Sequence, residues 1–316
     1  MKQTVSSGQV LELLQSQLES WPLARDNYRA LQHVKTREFS YGNFHVNVQF
    51  NPARIVSASA KVDERSLKDK KCFLCPENLP EQQKGILFGE NYQILVNPYP
   101  IFPQHFTIPA LKHLPQRILY RFADMLDMSQ ALDRFVVFYN GPHSGASVPD
   151  HVHFQAGNKG FLPVEKEWMH VENDLIYQGK GIELYELKDY LRSTLVIRSE
   201  NKENAIKLFK DIYHSLEIKP EEEEPGMNII TWYDSDNVLV TILLLREKHR
   251  PSCYYEEGEK NILVSPGAVD MGGVIISPLK KDFDKITKED IAGIMQEVSL
   301  DDRQMHKLKE YLNKLL

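Results

Sequence analysis

The sequence predicts an α+β protein whose antiparallel sheets carry helices packed outside them. Three observations predict it. Phe44, Val46, Val48 and Phe50 alternate with His45, Asn47, Gln49 and Asn51, the period-two pattern of a half-buried strand. Short strand-like runs then alternate with helical patterns as far as residue 155, and a loosely similar order returns over 190–316. Alternating strands with helix-bearing connections favour sheets flanked by helices over a doubly wound parallel sheet.

The elements follow in order. Val10, Leu11, Leu13, Leu14 and Leu18 give residues 8–20 an amphipathic helical stripe. Tyr92–Val96 and His105–Ile108 read as strands, with Pro98, Pro100 and Pro103 punctuating the connection. Ile118, Leu119, Phe122, Met125 and Leu126 predict a helix over 116–130. Residues 134–139 and 151–155 read as two more strands. Further on, Leu191–Ile197 is strand-like and 202–216 is helical. Residues 219–226 form an acidic, Pro-bounded connection expected to lie in solvent. Asn228–Tyr233 and Val238–Leu245 form a hairpin, and Gly273–Ser277 is a short strand. One helix follows Thr287, and a last one follows Ser299 with Asp302 as a capping box.

Composition narrows the function. The 316 residues suffice for one large domain or two linked halves. A net charge of −6 and a pI near 6.0 argue against nucleic acid or an anionic membrane as partner. No apolar run approaches the roughly 18 residues of a membrane span. Residues 1–17 lack a basic segment followed by an apolar core, so no secretory signal is expected. Three cysteines fit a reducing cytoplasm.

Two motifs carry chemistry. The run Asn140-Gly-Pro-His-Ser-Gly-Ala-Ser-Val-Pro-Asp-His151-Val-His153-Phe-Gln155 ends in His-x-His-x-Gln. In a strand, His151, His153 and Gln155 share one face while Val152 and Phe154 take the other. Before them, Gly145, Ala146 and Ser147 leave backbone N–H groups room to approach an anion. The second motif is Cys72-Phe-Leu-Cys75, between the charged stretch 63–71 and a proline-rich one. With only Cys253 besides, the pair is no disulfide framework. It suits zinc better than a redox dithiol. Zinc needs four N or S ligands, and His105, His113 and His151 are the candidates beyond the two thiolates.

These residues resemble the histidine-triad superfamily, in the two-half branch that contains galactose-1-phosphate uridylyltransferase, diadenosine tetraphosphate phosphorylase and GDP-L-galactose phosphorylase. The resemblance runs over about residues 44–160. Asn51-Pro52 with Arg54 looks like that branch's opening segment. Cys72-Phe-Leu-Cys75 looks like its zinc knuckle. Val96-Asn97-Pro98-Tyr99 and Phe138-Tyr139-Asn140 look like its two Asn-bearing nucleotide-contact strands. Pro103 to His113 looks like the strand leading into a histidine-containing turn, and Gly141 to Ser147 looks like the phosphorylase loop. Two departures stand out: Val152 sits where the uridylyltransferase has Pro, and one extra residue separates Ser147 from His151.

The resemblance implies a histidine-triad-like fold of two related halves. An N-terminal helical segment would span 1–40, the catalytic half with its knuckle 41–165, and a degenerate second half 190–316. It implies a nucleotidyltransferase or phosphorylase acting on a nucleoside diphosphate sugar or a dinucleoside polyphosphate, with phosphate or a sugar phosphate as acceptor, in a monomer or homodimer. His153 would be the nucleophile and Gln155 a donor to the phosphoryl oxygens. Asn97, Asn140, Gly145 and Ser147 would contact substrate. A structural zinc would be held by Cys72, Cys75, His113 and His151, with His105 the rival third ligand. A catalytically silent nucleotide-binding protein and a hydrolase of the same superfamily are the alternatives. The glutamine at 155, where the shorter hydrolases generally carry a third histidine, favours transfer. In the second half, Arg246-Glu-Lys248-His249-Arg250 is either a solvated strand end or a polyphosphate contact. Ser265 to Gly273 is a Gly-rich turn that serves a ligand or merely a bend.

Overall fold

The computed structural model describes residues 5–55 and 71–315. The charged stretch before Cys72 lies outside them, apart from Lys71. The chain opens with helices α1 (Ser7–Ser20) and α2 (Pro22–Leu31). Ser6 and Gln9 form a reciprocal capping box at the start of α1. Pro22 occupies the first turn of α2, where its missing N–H costs nothing.

A ten-stranded, wholly antiparallel sheet organises the rest. Its first five strands are β3 (Gly85–Phe88), β4 (Tyr92–Val96), β5 (His105–Pro109), β6 (Phe135–Asn140) and β7 (His153–Asn158), with helix α3 (Phe122–Ala131) between β5 and β6. The next five are β8 (Asn173–Gly179), β9 (Ile182–Leu187), β10 (Thr194–Ser199), β11 (Met227–Tyr233) and β12 (Leu239–Leu245), with helix α5 (Lys202–Ser215) between β10 and β11. The short α4 (Val164–Glu167) links the two sets. The spatial order is β3-β4-β5-β7-β6-β11-β12-β10-β9-β8, which has the same topology read from either edge. In each set the helix follows the third strand, and the fifth strand slots between the third and fourth. The two units share this topology and are zipped together where Asn140 pairs with Asn228 and Val137 with Thr231.

Most of the sheet is buried on both faces. On one, Phe106, Phe135, Phe154, Leu195 and Leu243 join a core closed by α1, α3, α5 and the C-terminal α9 (Asp302–Leu315). On the other, Val196, Ile242 and Leu244 pack against a three-stranded sheet of β1 (Lys35–Ser40), β2 (His45–Phe50) and β13 (Val274–Ser277). Here β13 runs parallel to β2. The short α6 (Ala268–Met271), with α7 (Lys280–Lys285) and α8 (Lys288–Val298), completes that layer.

The structure departs from the sequence reading at several places. The helix expected from 116 starts at Phe122; the segment before it is tied down elsewhere, with the N–H groups of Gln116 and Ile118 bonding to Pro149 O and the Glu224 carboxylate. The last strand of the motif starts at His153, not His151. A local turn takes the His151 N–H to Val148 O, so His151 does not share the face of His153 and Gln155. Strands β1, β3, β8 and β9 have no counterpart in that reading. The last helix is capped by Asp301 and Gln304, each bonding the other's backbone N–H, rather than by Ser299. The acidic connection is not wholly solvated: Glu224 is only 2 % exposed.

Candidate active site

A cavity of about 300 Å³ opens on the first unit, on the sheet face opposite α3. The alternation of strand residues builds it. Phe154 and Ala156 of β7 point into the helical core, so His153 and Gln155 point the other way and line the cavity. Asn97, just past β4, and Thr107, Phe138 and Asn140 of β5 and β6 join them, with Gly145 and Ser147 from the loop before β7.

His153 is 5 % exposed. Its Nδ1 lies 2.8 Å from the carbonyl of His151. A carbonyl only accepts, so Nδ1 carries the proton and Nε2 keeps its lone pair. Burial pushes the imidazole pKa down to about 4, so the ring is neutral at physiological pH. Gln116, fully buried, clamps the same residue: its Oε1 accepts the His153 N–H at 2.8 Å, and its Nε2 donates to His153 O and to Asn140 O. Nothing in the sequence singles out Gln116, because its role is a bond across 37 residues.

Cys72, Cys75, His113 and His151 bring four ligand atoms within 4.8 Å of one another. Cys72 Sγ is 3.3 Å from His151 Nδ1, and Cys75 Sγ is 3.2 Å from His113 Nδ1. The shorter separations are close to the edges of a tetrahedron, roughly 3.3–3.8 Å for Zn–N and Zn–S bonds of ordinary length, and the whole set is small enough to converge on one ion. The outer contacts fit as well. His151 Nε2 donates to Ala110 O at 2.8 Å, and His113 Nε2 faces Asp150 Oδ2 at 3.3 Å, which turns both Nδ1 atoms toward the thiolates. Zinc held there would be a closed structural site with no position for substrate. His105 stands apart from this cluster, with its Nε2 3.0 Å from Gln155.

The other expected contacts divide. Asn97 is tied into a turn: its Oδ1 accepts from Tyr99 N–H and its Nδ2 donates to Thr107. Asn140 Oδ1 accepts from Asn228 Nδ2 and from Ala268 N–H, so its amide donors face away from that seam. Arg54 lines the cavity and donates to Tyr99 O.

The second half closes the cavity with Ser265, Gly267, Ala268, Asp270 and Ile276, so the Gly-rich turn forms a wall of the site. Arg246 shapes that wall. Buried and without exposed guanidinium, it spends its donors on Asn228 Oδ1, Pro266 O, Lys248 O, His249 O and Val298 O. It is therefore neither a solvated strand end nor a contact to substrate. Asp270 caps α6 and braces β13, accepting from Gly267 N–H and Ile276 N–H, with burial raising its pKa to about 6. Gly145, at φ +92°, meets Gly267 so closely that a Cβ would lie 2.6 Å from the Gly267 Cα. These long-range contacts left no local signal in the sequence.

Comparison with known proteins agrees with this architecture. Residues 13–158 match a family described as a domain of unknown function, DUF4922, and residues 163–316 match "GDPGP1-like, C-terminal domain". A galactose-1-phosphate uridylyltransferase of Staphylococcus saprophyticus is 24 % identical over 187 residues, which span 54 % of this chain and 37 % of that protein. The chain thus spans well under half of that relative. Yeast Ap4A phosphorylase Apa2 superposes with a TM-score of 0.55 at 15 % identity, over 88 % of this chain and 96 % of Apa2. In complex with Ap4A the values are 0.57, 15 %, 92 % and 97 %. The chain has the α+β, histidine-triad-like fold expected of it and resembles the two-half branch of that superfamily.

Proposed function

We propose that this protein is a nucleotidyltransferase or phosphorylase that moves a nucleoside monophosphate from a nucleoside diphosphate sugar or a dinucleoside polyphosphate to a phosphate-bearing acceptor. The observation that carries the reading is the imidazole of His153, neutral and oriented by its Nδ1–H bond to His151 O, in the wall of a cavity. Nε2 attacks the α-phosphorus and the P–O bond to the leaving phosphate or polyphosphate breaks, giving a nucleotidyl-histidine. The His151 carbonyl stabilises the proton that stays on Nδ1. An oxygen of inorganic phosphate or a sugar phosphate then attacks the same phosphorus, the P–N bond breaks, and His153 is restored. Gln155 donates to the phosphoryl oxygens where charge develops. Ser147, Gly145 and the amide of Asn140 line the path of the substrate, while Asn97 shapes the wall through its turn.

Cys72, Cys75, His113 and His151 would hold one structural zinc. The metal would brace the turn from which the nucleophile's strand departs. In domain terms, we assign 1–40, with α1 and α2, to an N-terminal helical segment, 41–165 to the catalytic half and 190–316 to the second half, which β8 and β9 extend back to Asn173. Among the described residues no helix is long and apolar enough to cross a membrane.

The test is incubation with GDP-glucose, UDP-glucose, ADP-glucose and Ap4A labelled at the α-phosphate, without acceptor, followed by a search for an acid-labile adduct on His153. Adding inorganic phosphate should discharge the adduct as the nucleoside diphosphate. Release as the monophosphate, independent of phosphate, would instead identify a hydrolase. No adduct from any donor would overturn the covalent reading.

A further inference from the structure

We infer that His105 is a positioning residue: it fixes the Gln155 carboxamide in one orientation, with its NH2 group toward the cavity. The consequence for transfer rests on the function proposed above, whereas the orientation itself rests on geometry alone.

His105 is fully buried on β5. It pairs across the strands with Gly157, while Gln155 pairs with Thr107, so the two side chains are diagonal neighbours on one face. His105 Nδ1 lies 3.1 Å from the backbone N–H of Ile101. A backbone N–H can only donate, so Nδ1 must offer its lone pair. The proton of the neutral ring then sits on Nε2, and Nε2 is 3.0 Å from Gln155 Oε1. An N–H there demands an acceptor, so the amide oxygen faces His105 and the NH2 faces away. Turning the carboxamide over would set N–H against N–H in a buried place and would present an oxygen to the anionic phosphoryl group. The ambiguity of a glutamine amide is thus removed by a backbone donor one residue further along the relay.

The surroundings hold the relay still. The hydroxyl of Tyr28, from α2, donates to His105 O at 2.9 Å and accepts the His105 N–H at 3.3 Å. Phe102 and Phe138 wall the ring, with centroids 5.3 and 6.0 Å away. Gly157 makes room for Phe102, since a Cβ at 157 would lie 2.3 Å from that ring. Burial, and Arg54 nearby, push the His105 pKa down to about 3, which keeps the ring neutral. His105 does not line the cavity. It acts only through Gln155.

Two measurements test this on the full-length protein. Nitrogen-15 NMR of the imidazoles, with His105→Asn assigning the resonance, should find Nδ1 unprotonated and Nε2 protonated from pH 8 to 5. The opposite tautomer, or an imidazolium at pH 5, overturns the inference whatever the protein's activity. The second is a double-mutant cycle on transfer from whichever of GDP-glucose, UDP-glucose, ADP-glucose or Ap4A the wild type turns over. His105→Asn keeps an acceptor for Ile101 but does not reach Gln155. It should lower kcat about 10-fold with KM little changed. His105→Gln, which reaches the Nε2 position, should recover most of that loss. His105→Asn combined with Gln155→Ala should be no slower than Gln155→Ala alone. Additive losses would mean that His105 serves the fold and not Gln155. A wild type inert toward every donor would overturn the proposed function and leave the NMR result to decide this inference. An unfolded His105→Asn would likewise leave the decision to the wild-type tautomer, assigned by elimination.

Discussion

Strands β7 and β12 hold the same place in the two units, and they could hardly differ more in content. β7 reads His-Phe-Gln-Ala-Gly-Asn and presents His153 and Gln155 to a cavity. β12 reads Leu-Val-Thr-Ile-Leu-Leu-Leu and is buried along its whole length. The face that carries chemistry in the first unit carries Val240, Ile242 and Leu244 in the second, sealed under β1, β2, β13 and their helices. One topology supports both outcomes because the pleat separates the faces. The helical face of each strand maintains the core, and the other face is left to be covered or kept open. The second unit has spent that freedom on burial, and its turn at Ser265–Asp270 closes the neighbour's cavity.

That contrast can be broken from the metal first. Cys75→Ser, or removal of metal by chelator, should produce the largest effect. A structural zinc is worth on the order of 10 kcal/mol. Metal analysis should find one zinc per chain in the wild type and none in the variant. Hydrogen exchange should accelerate in β5–β7 before β10–β12. Protein purified without chelator that holds no zinc would refute the site. Next in size, His153→Ala should reduce transfer by about 10³-fold or more while leaving the melting temperature nearly unchanged. Chiral-phosphorothioate donors should show retention at phosphorus in the wild type, since two in-line displacements each invert. Net inversion would remove His153 as covalent carrier.

Ile242→Ala asks the opposite question of the sealed strand. It should cost about 2–5 kcal/mol in denaturant unfolding with little change in kcat. A selective loss of activity would show that the second unit does more than bury and close. The smallest effect concerns Glu224, which accepts from Tyr139 and Ile118 N–H behind the first unit's strands. Burial raises its pKa from 4.5 to about 7. The folded state therefore binds the proton more tightly than the unfolded state, so stability is full below about pH 4.5 and is lost as pH rises through 7. Glu224→Gln keeps the Ile118 N–H bond at its amide oxygen, turns the Tyr139 bond round so that its NH2 donates to the phenol oxygen, and removes the titration. It should gain on the wild type between pH 5 and 8 by up to about 3 kcal/mol. A constant difference across that range would mean that Glu224 is already ionised in the fold.

What was legible follows the range of the interactions. β4 was read to the residue, and β5, β11, β12 and α5 nearly so, because period and punctuation are local signals. β8 carries an exposed, mixed surface with no alternation to read, and β1 is an edge strand of similar character. The cysteine pair and the His-x-His-x-Gln run announced themselves by spacing. The choice between His105 and His113 did not, since it depends on which ring a fold brings to the thiols. Gln116 and Asn228 stayed silent for the same reason, and Arg246 was noticed but given the wrong roles: each works by joining segments far apart in the chain.

The near contact of Gly145 with Gly267 has a consequence for how such a molecule can change. A Cβ on Gly145 would strike the Gly267 backbone, and one on Gly267 would crowd the Asn140 side chain at 3.0 Å. The units are free to drift apart almost everywhere else, as β7 and β12 show. At this seam they must be inherited together, since any residue larger than glycine on one side needs a retreat by the other. A catalytic half transplanted onto a foreign second unit would bring its nucleophile with it, yet arrive with one wall of its pocket missing.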